Sequence, residues 1–324
     1  MKRKLLLLLV LLLAVVAALA FPALAGRFYL QLVSKIMIMA IFAMSLNLLV
    51  GCTGLVSLGH AAFFGLGAYT LMLLSPPYGA ASLWLWLPAA VAVAAVAALA
   101  IGLLVLRSAG VYFIMATLAF TQMFFYLATG TKALGGSDGA FIYGKPDATI
   151  LGVTPFRLAD PVQFYYAMLV LMVGTYLALR LLLRSPFGHA IQGIRVNEHR
   201  MRSLGFATFH YKLAIFVISG ALAGLAGYFD AAQFGVVNPD LFGWRLSGIV
   251  LMMVILGGMR TLYGAVLGAF ALTLVQEVLS DLTRHWLLSM GLFIILTVLL
   301  LPDGIGGLRG QLGALRRQMA ARRG

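Results

Sequence analysis

Charge is scarce in this chain. Only 10% of its 324 residues are Asp, Glu, Lys or Arg, against 63% that are apolar, whereas a soluble domain carries about 25% charged residues. A soluble fold of this length cannot hide so much apolar surface, because the buried fraction rises only slowly with size. A bilayer accommodates it in spanning helices of about 20 apolar residues, and the mean hydropathy of +1.03 points the same way. Cysteine is nearly absent. The lone Cys52 cannot form an internal disulfide, and no Cys/His cluster has metal-ligand spacing, so Cys52 reads as a small apolar packer beside a span end. There is no Gly-x-x-x-x-Gly-Lys-Ser/Thr phosphate loop, no nucleophile elbow and no His-Glu-x-x-His pair. The chain therefore lacks the usual means of binding ATP, and no cofactor is implied. His60, His189, His199, His210 and His285 are scattered, which leaves no constellation for a membrane-embedded enzyme. No two acidic groups share a helix face at mid-membrane depth, which argues against a proton-coupled carrier.

What is present is positive charge, +14 net, lying between apolar blocks and at the chain ends. No basic stripe interleaved with aromatics appears, so nucleic acid is not the expected partner; residues flanking membrane spans are the ordinary cause. Ten apolar segments follow one another at residues 5–25, 30–50, 55–74, 83–106, 111–130, 162–183, 213–235, 247–257, 263–280 and 286–301. The eighth is too short to span as a straight helix and is followed by Gly257 and Gly258, so it reads as a broken helix, and the span count is eight to ten. Lys2, Arg3 and Lys4 precede the first segment, and Ala23-Leu24-Ala25 resembles a signal-peptidase site. Retention of this segment as the first span is the expectation.

Charge sets the orientation. With the N-terminus inside, ten spans place the C-terminus inside too. The cytoplasmic set is then Lys2, Arg3, Lys4, Arg107, Arg180, Arg184, Arg195, Arg200, Arg202, Lys212, Arg260, Arg309, Arg316, Arg317, Arg322 and Arg323, 16 of the 23 Lys and Arg. Outside lie Arg27, Lys132, Lys145, Arg157, Arg245 and Arg284, with Lys35 inside a span, a bias of the sign that cytoplasmic loops show. Residues 1–310 read as one membrane domain and 311–324 as a basic cytoplasmic tail. Two polar insertions interrupt the spans: an external excursion over 131–161, and a cytoplasmic, partly helical segment over 184–211. In the latter, Ser185-Pro186 can start a helix and Gly205 can stop one. Ala190, Ile191, Ile194, Met201 and Leu204 would form its apolar face, and Arg195, Glu198, His199, Arg200 and Arg202 its charged face.

The densest signal is Ser45-Leu-Asn-Leu-Leu-Val-Gly-Cys-Thr-Gly-Leu-Val-Ser-Leu-Gly-His-Ala-Ala-Phe-Phe-Gly-Leu-Gly-Ala-Tyr69. Gly51, Gly54, Gly59, Gly65 and Gly67 permit close helix packing or non-helical backbone beside a pathway. Ser57 and His60 are polar groups at membrane depth, candidates for function or for hydrogen bonds between helices. A second small-residue pair, Gly220 and Gly224, reads as a packing face. A third glycine-rich stretch from Leu256 to Gly268 suggests an interrupted helix, and glycine-broken segments in both halves hint at an internal repeat. Lys35, Asp230 and Glu277 are ionisable groups near span ends. Asn47, Ser57, His60, Thr121 and Gln122 are the polar side chains expected along a pathway.

Asn47-Leu-Leu-Val-Gly followed by Gly54-Leu-Val-Ser-Leu-Gly-His-Ala-Ala-Phe-Phe-Gly-Leu-Gly-Ala-Tyr resembles the hallmark of branched-chain amino-acid ABC transporter permeases, and most nearly the M-type subunit of the paired permeases. The segment from Ser185 to Gly205 is similar to that family's ATPase-facing loop, and Lys212–Gly227, Leu256-Gly-Gly-Met and Leu301-Pro-Asp-Gly follow in family order. Cys52 and Thr53 depart from it, standing where relatives often carry an aromatic and another small residue. The resemblance implies an all-α polytopic membrane protein of the type II importer fold, with inverted repeats, in a bacterial inner membrane. It implies a heterodimer with a second, H-type permease, two separate ATPase subunits and a periplasmic substrate-binding protein. Gly188, Arg195, Glu198, Arg200 and Gly205 would couple the chain to the ATPases, while Gly54, Gly59, Gly65, Gly67, Gly220 and Gly224 pack helices. Related permeases handle urea, amides or aromatic acids, so the substrate stays open, and a gradient-driven carrier or channel is the other reading of such a chain.

Overall fold

The computed structural model describes residues 18–23, 25–76, 82–142, 144–149, 157–300 and 304–307. Most of the expected first span and the whole basic tail at 311–324 lie outside these residues. The chain forms helices α1 (Arg27–Thr53), α2 (His60–Leu74), α3 (Leu83–Val105), α4 (Val111–Gly130), α5 (Pro161–Arg184), α6 (Pro186–Val196), α7 (Glu198–Ser203), α8 (Thr208–Phe234), α9 (Trp244–Gly257), α10 (Leu262–Leu282) and α11 (Trp286–Leu300). Strands β1 (Ala140–Phe141) and β2 (Val236–Val237) make one short antiparallel pair. Among the described residues, seven helices are long and apolar enough to cross a membrane, and α2 and α9 are shorter apolar helices.

The expected span at 55–74 is corrected. Residues 54–59 are not helical, and the helix begins at His60. Gly54 ends α1 in the left-handed region (φ 77°), donating its N–H to the Val50 carbonyl, a conformation open to glycine without steric cost. The Ser57 hydroxyl then accepts the Gly59 N–H at 3.1 Å, giving the local backbone a partner other than helix. α8 starts five residues before its apolar window, at Thr208, because Lys212 and Thr208 are tied to Glu198 in the segment that precedes them.

The order of elements repeats. α1 has 27 residues, ends on a left-handed glycine, and is followed by a non-helical link and the 15-residue α2. α8 also has 27 residues, ends on Gly235 (φ 67°), and is followed by a link and the 14-residue α9. α1 ends beside Arg195 of α6, whereas α8 ends on the opposite side of the molecule, beside Ile142, so the second copy runs inverted relative to the first. One side of the molecule gathers residues 131–149, the start of α3 and the end of α8: Ala140 pairs with Val237, Ile142 N–H donates to the Gly235 carbonyl at 2.8 Å, and Leu83 N–H to that of Asp147 at 2.8 Å. The opposite side gathers the end of α1, the α6–α7 pair and the α9–α10 link.

α1 is the axis of the bundle. Every residue from Ile36 to Val50 is buried, enclosed by α5, α8, α9 and α10; a helix apolar on all faces belongs in such a position. α8 packs between α2 and α3 as well as on α1. Its small-residue face meets fully buried Ala94 and Ala98 of α3 at Gly224 and Gly220. A methyl on Gly67 of α2 would overlap the Gly224 carbonyl, and one on Gly227 the Phe64 carbonyl. The backbones therefore touch directly, as small residues permit in membranes. Gly227→Val should lower stability by about 1–3 kcal/mol or more, the usual cost of overpacking, read as a fall in melting temperature in detergent. Gly174→Ala, whose methyl meets nothing within 4 Å, should instead raise stability by about 0.5–1 kcal/mol; equal shifts for the two would refute the close-approach account.

Candidate functional site: a buried polar crossing and a membrane-surface helix pair

Two places gather the polar residues that sequence reasoning singled out. The first is the crossing of α1, α2, α8 and α9. His60, the first residue of α2, is fully buried, stacked on Phe42 (centroids 5.7 Å, 12°) and edge-on to Phe63. Its Nε2 lies 3.0 Å from Ser45 Oγ and 3.2 Å from Ser219 Oγ. Ser45 Oγ donates its proton to the Phe42 carbonyl at 2.7 Å, and Ser219 Oγ donates to the Ser45 carbonyl at 2.5 Å. A hydroxyl has one proton, so with both serine protons on carbonyls the serines accept from the imidazole, which puts a proton on Nε2; Nδ1 has no partner. His60 thus ties three helices together. Next to it the Ala61 N–H donates to Ser247 Oγ of α9 at 2.8 Å. α2 has no N-cap side chain of its own, and one of its open first-turn donors is satisfied by the other short helix.

The remaining pathway candidates are dispersed. Asn47 Nδ2 donates to the Thr261 carbonyl of the α9–α10 link at 3.2 Å, while its Oδ1 has no partner. Ser57 is buried in the 54–59 link. Thr121 Oγ1 and Gln122 Nε2 on α4 are buried without partners. Of the packing glycines, Gly59 lies against Thr117 of α4 and Gly65 under the ring of Phe242, while a methyl on Gly54 would meet the Arg195 side chain at 3.6 Å, an ordinary contact. None of the five pathway candidates lines either of the two larger cavities. One, of about 310 Å³, is walled by Leu66, Tyr69, Thr70, Val93, Phe124 and Phe242, with Tyr69 and Phe124 both against the Phe242 ring. Sequence reasoning missed these aromatics, since nothing separates a cavity aromatic from a packed one in an apolar run. The other, of about 700 Å³, is an apolar groove between α3 and α5 that includes Trp84, Tyr166 and Gly174.

The second place is the α6–α7 pair. Ser185 Oγ accepts the Gly188 N–H at 3.3 Å and caps α6, with Pro186 in its first turn; Asn197 Oδ1 accepts the Arg200 N–H at 2.9 Å and caps α7. Gly188 is pressed on the end of α5, where a methyl would come within 2.5 Å of the Leu183 Cα. Ala190, Ile191 and Ile194 are buried on α6 and Met201 is half-buried against Gly193, but Leu204 is 67% exposed, so the expected apolar face ends before Leu204; Val196, outside that face, is 86% exposed. Gly205 (φ 88°) terminates α7's turn. Glu198 accepts hydrogen bonds from Lys212, from Arg202 at 2.7 Å and from Thr208 at 3.1 Å. Partial burial pushes its carboxyl up, but the bonds from Lys212 and Arg202 outweigh it and hold the group below its ordinary value. Arg195 and Arg200 are both exposed, but the Arg195 guanidinium reaches back and donates from Nη1 to the Gly51 carbonyl.

Residues 28–301 match the family model described as the permease component of the branched-chain amino acid transport system. The chain belongs to this permease family. It is 34% identical over 312 residues to the high-affinity branched-chain amino acid transport system permease protein LivM of Escherichia coli, covering 90% of this chain and 73% of that one. It is 33% identical over the same length to LivM of Salmonella typhimurium, and 31% identical over 172 residues, about half of each chain, to the autoinducer 2 import system permease protein LsrC of Photorhabdus laumondii. No solved structure matches. The all-α, multi-pass architecture expected from the sequence is that of a membrane permease component.

In this permease the Glu198 clamp has a defined pH response. A carboxyl with a lowered folded-state value stabilises the fold at pH above its unfolded value, about 4.3 for Glu, and that stabilisation is lost as pH falls through the lowered value. Amide exchange over residues 198–205, corrected for the intrinsic rate, should be slow at neutral pH and accelerate below about pH 4, with Glu198→Gln fast at both. An exchange pattern indifferent to both pH and the substitution would dismiss the clamp.

Proposed function

We propose that this chain is one of two membrane subunits of an ATP-driven importer that moves branched-chain amino acids, or related small polar solutes, into the cytoplasm. The reading rests on family membership together with one observation: a short helix pair is fastened to the bundle by Arg195, Glu198 and Gly188 while Val196, Arg200 and Leu204 are exposed. A chain without a phosphate loop needs such a surface if ATP drives it. Two ATPase subunits dock on the α6–α7 pair, with Gly188, Arg195, Glu198, Arg200 and Gly205 transmitting their closure, and a second, H-type permease completes the pore. A periplasmic binding protein docks on the side formed by residues 131–149 and the end of α8. The membrane is the bacterial inner membrane with both termini cytoplasmic, as the distribution of Lys and Arg supports.

Asn47, Ser57, His60, Thr121 and Gln122 act in this scheme as the polar groups of the moving helices. Held by two serines, the His60 ring positions α2.

The chain purified from its native membrane in mild detergent should bring down a second permease and two ATPases, and vesicles containing the complex should take up substrate only with ATP and the binding protein. Recovery of the chain alone, with uptake indifferent to ATP, would favour a gradient-driven carrier. Gly188→Val should displace α6 from α5 and reduce binding-protein-stimulated uptake about tenfold or more, a loss typical of coupling free energies, with the chain still inserted; undiminished uptake would remove Gly188 from the coupling set.

A further inference from the structure

The C-terminal end of α1 is where the α6–α7 pair meets the core. Gly54 takes the Val50 carbonyl, and the Leu55 N–H turns to Thr53 Oγ1 at 3.4 Å. Gly51 is thus the first carbonyl of the last turn that the helix leaves without a backbone partner, as helix ends do. α1 has no basic residue of its own in that turn. The guanidinium of Arg195, from α6, supplies the missing donor and a positive charge at the negative end of the helix dipole. On its other face Gly51 abuts the Met259 carbonyl, and one turn earlier Asn47 donates to the Thr261 carbonyl. Both carbonyls belong to the α9–α10 link. α9 in turn caps α2 through Ser247.

We propose that Arg195 is a positioning residue: through the Gly51 carbonyl it ties α6 to the last turn of α1, and so delivers displacement of α6 to the α9–α10 link and the two short helices. The proposal rests on the ATPase-docking reading for the source of the displacement, but not for the tie itself. Arg195 is itself exposed, but in this role its guanidinium acts through the inward bond to Gly51, and docking falls to the other exposed residues of the pair.

Cys52, adjacent to Gly51 and the chain's only cysteine, is a native reporter of that turn. The experiment compares wild type, Arg195→Ala and Arg195→Lys as the assembled complex in lipid nanodiscs, with three readouts: ATPase subunits retained, stimulation by the binding protein, and the rate of Cys52 alkylation by N-ethylmaleimide, read by mass spectrometry of this chain with and without trapped nucleotide. Arg195→Ala should retain the ATPases and lose stimulation about tenfold, within the usual range of coupling between sites. Compared at equal thiolate fraction, because the lost cation also makes the thiolate scarcer, its Cys52 should react about threefold faster as the helix end loosens without the charge, and the rate should no longer respond to nucleotide. Lys keeps one donor and the charge, so Arg195→Lys should fall between. Loss of the ATPases with unchanged Cys52 reactivity would make Arg195 a docking contact and overturn the tie while leaving the importer reading intact. Stimulation and reactivity both at wild-type levels would overturn it as well. If the wild-type chain retains no ATPase, the importer reading fails, and the Cys52 rates of the three proteins alone still decide whether Arg195 holds the end of α1.

Discussion

In a bilayer, apolar surface gains little by leaving lipid for protein, so helices must be held together by close packing and by polar contacts. Here that requirement is met along α8, whose glycine face brings its backbone against the carbonyls of α2 and the alanine stripe of α3. Everything else is arranged around this contact. α1 can be wholly enclosed because α8 closes one side of it. α2 can be short because its neighbours cover the non-helical link before it. The second glycine contact, where Gly257 and Gly268 of the α9–α10 hairpin admit the partner helix's carbonyls, repeats the device in the other half.

Broken helices expose backbone donors in a medium that offers no water to satisfy them. The chain meets this cost in part with side chains from other elements. Ser247 of α9 serves Ala61 of α2 and Arg195 of α6 serves Gly51 of α1, while Ser57 serves Gly59 within its own link. His60 belongs to the first set. Its Nε2 lies between two serine oxygens that bond backbone carbonyls, so the ring is fixed in orientation by groups on α1 and α8. A histidine so placed is a joint between helices, which explains a polar residue at membrane depth without requiring it to touch a solute.

The boundaries of the long spans were legible in the sequence because apolar runs between polar insertions have a length set by the bilayer. The caps at Ser185 and Asn197 belong to the same local chemistry, although only the first was read. The small-residue face at Gly220 and Gly224 was visible for the same reason: spacing on one helix is a local property. What the sequence could not show is partnership. The run at 55–74 reads as one span because hydropathy does not register that Gly54 leaves the helix and Ser57 binds the next amide. Arg195 belongs by sequence to the charged face of an amphipathic helix, and only the fold brings it to a carbonyl 144 residues away in the chain. Tyr69, Phe124 and Phe242 meet across three elements, and no spacing rule joins them.

Backbone-to-backbone contact also limits how such a core can move. Side chains can change rotamer and let helices slide by small steps, but Gly67 against Gly224 and Gly227 against Phe64 have no side chain to yield. Packed interfaces of this kind hold or give way as units rather than deform gradually. α2, α3 and α8 are therefore constrained to travel together, and rearrangement is left to the links between α-helices, among them residues 54–59, 235–243 and 258–261. The first and last of these converge on the end of α1, one through Gly54 and the other through Asn47 and Gly51. The contact that α6 makes with that end is consequently placed where two of these three links meet, while the third lies on the opposite side, tied to Ala140–Phe141 by the β1–β2 pair. A permease that must open to each side in turn needs its compliance divided in this way, with a rigid block between links that face opposite compartments.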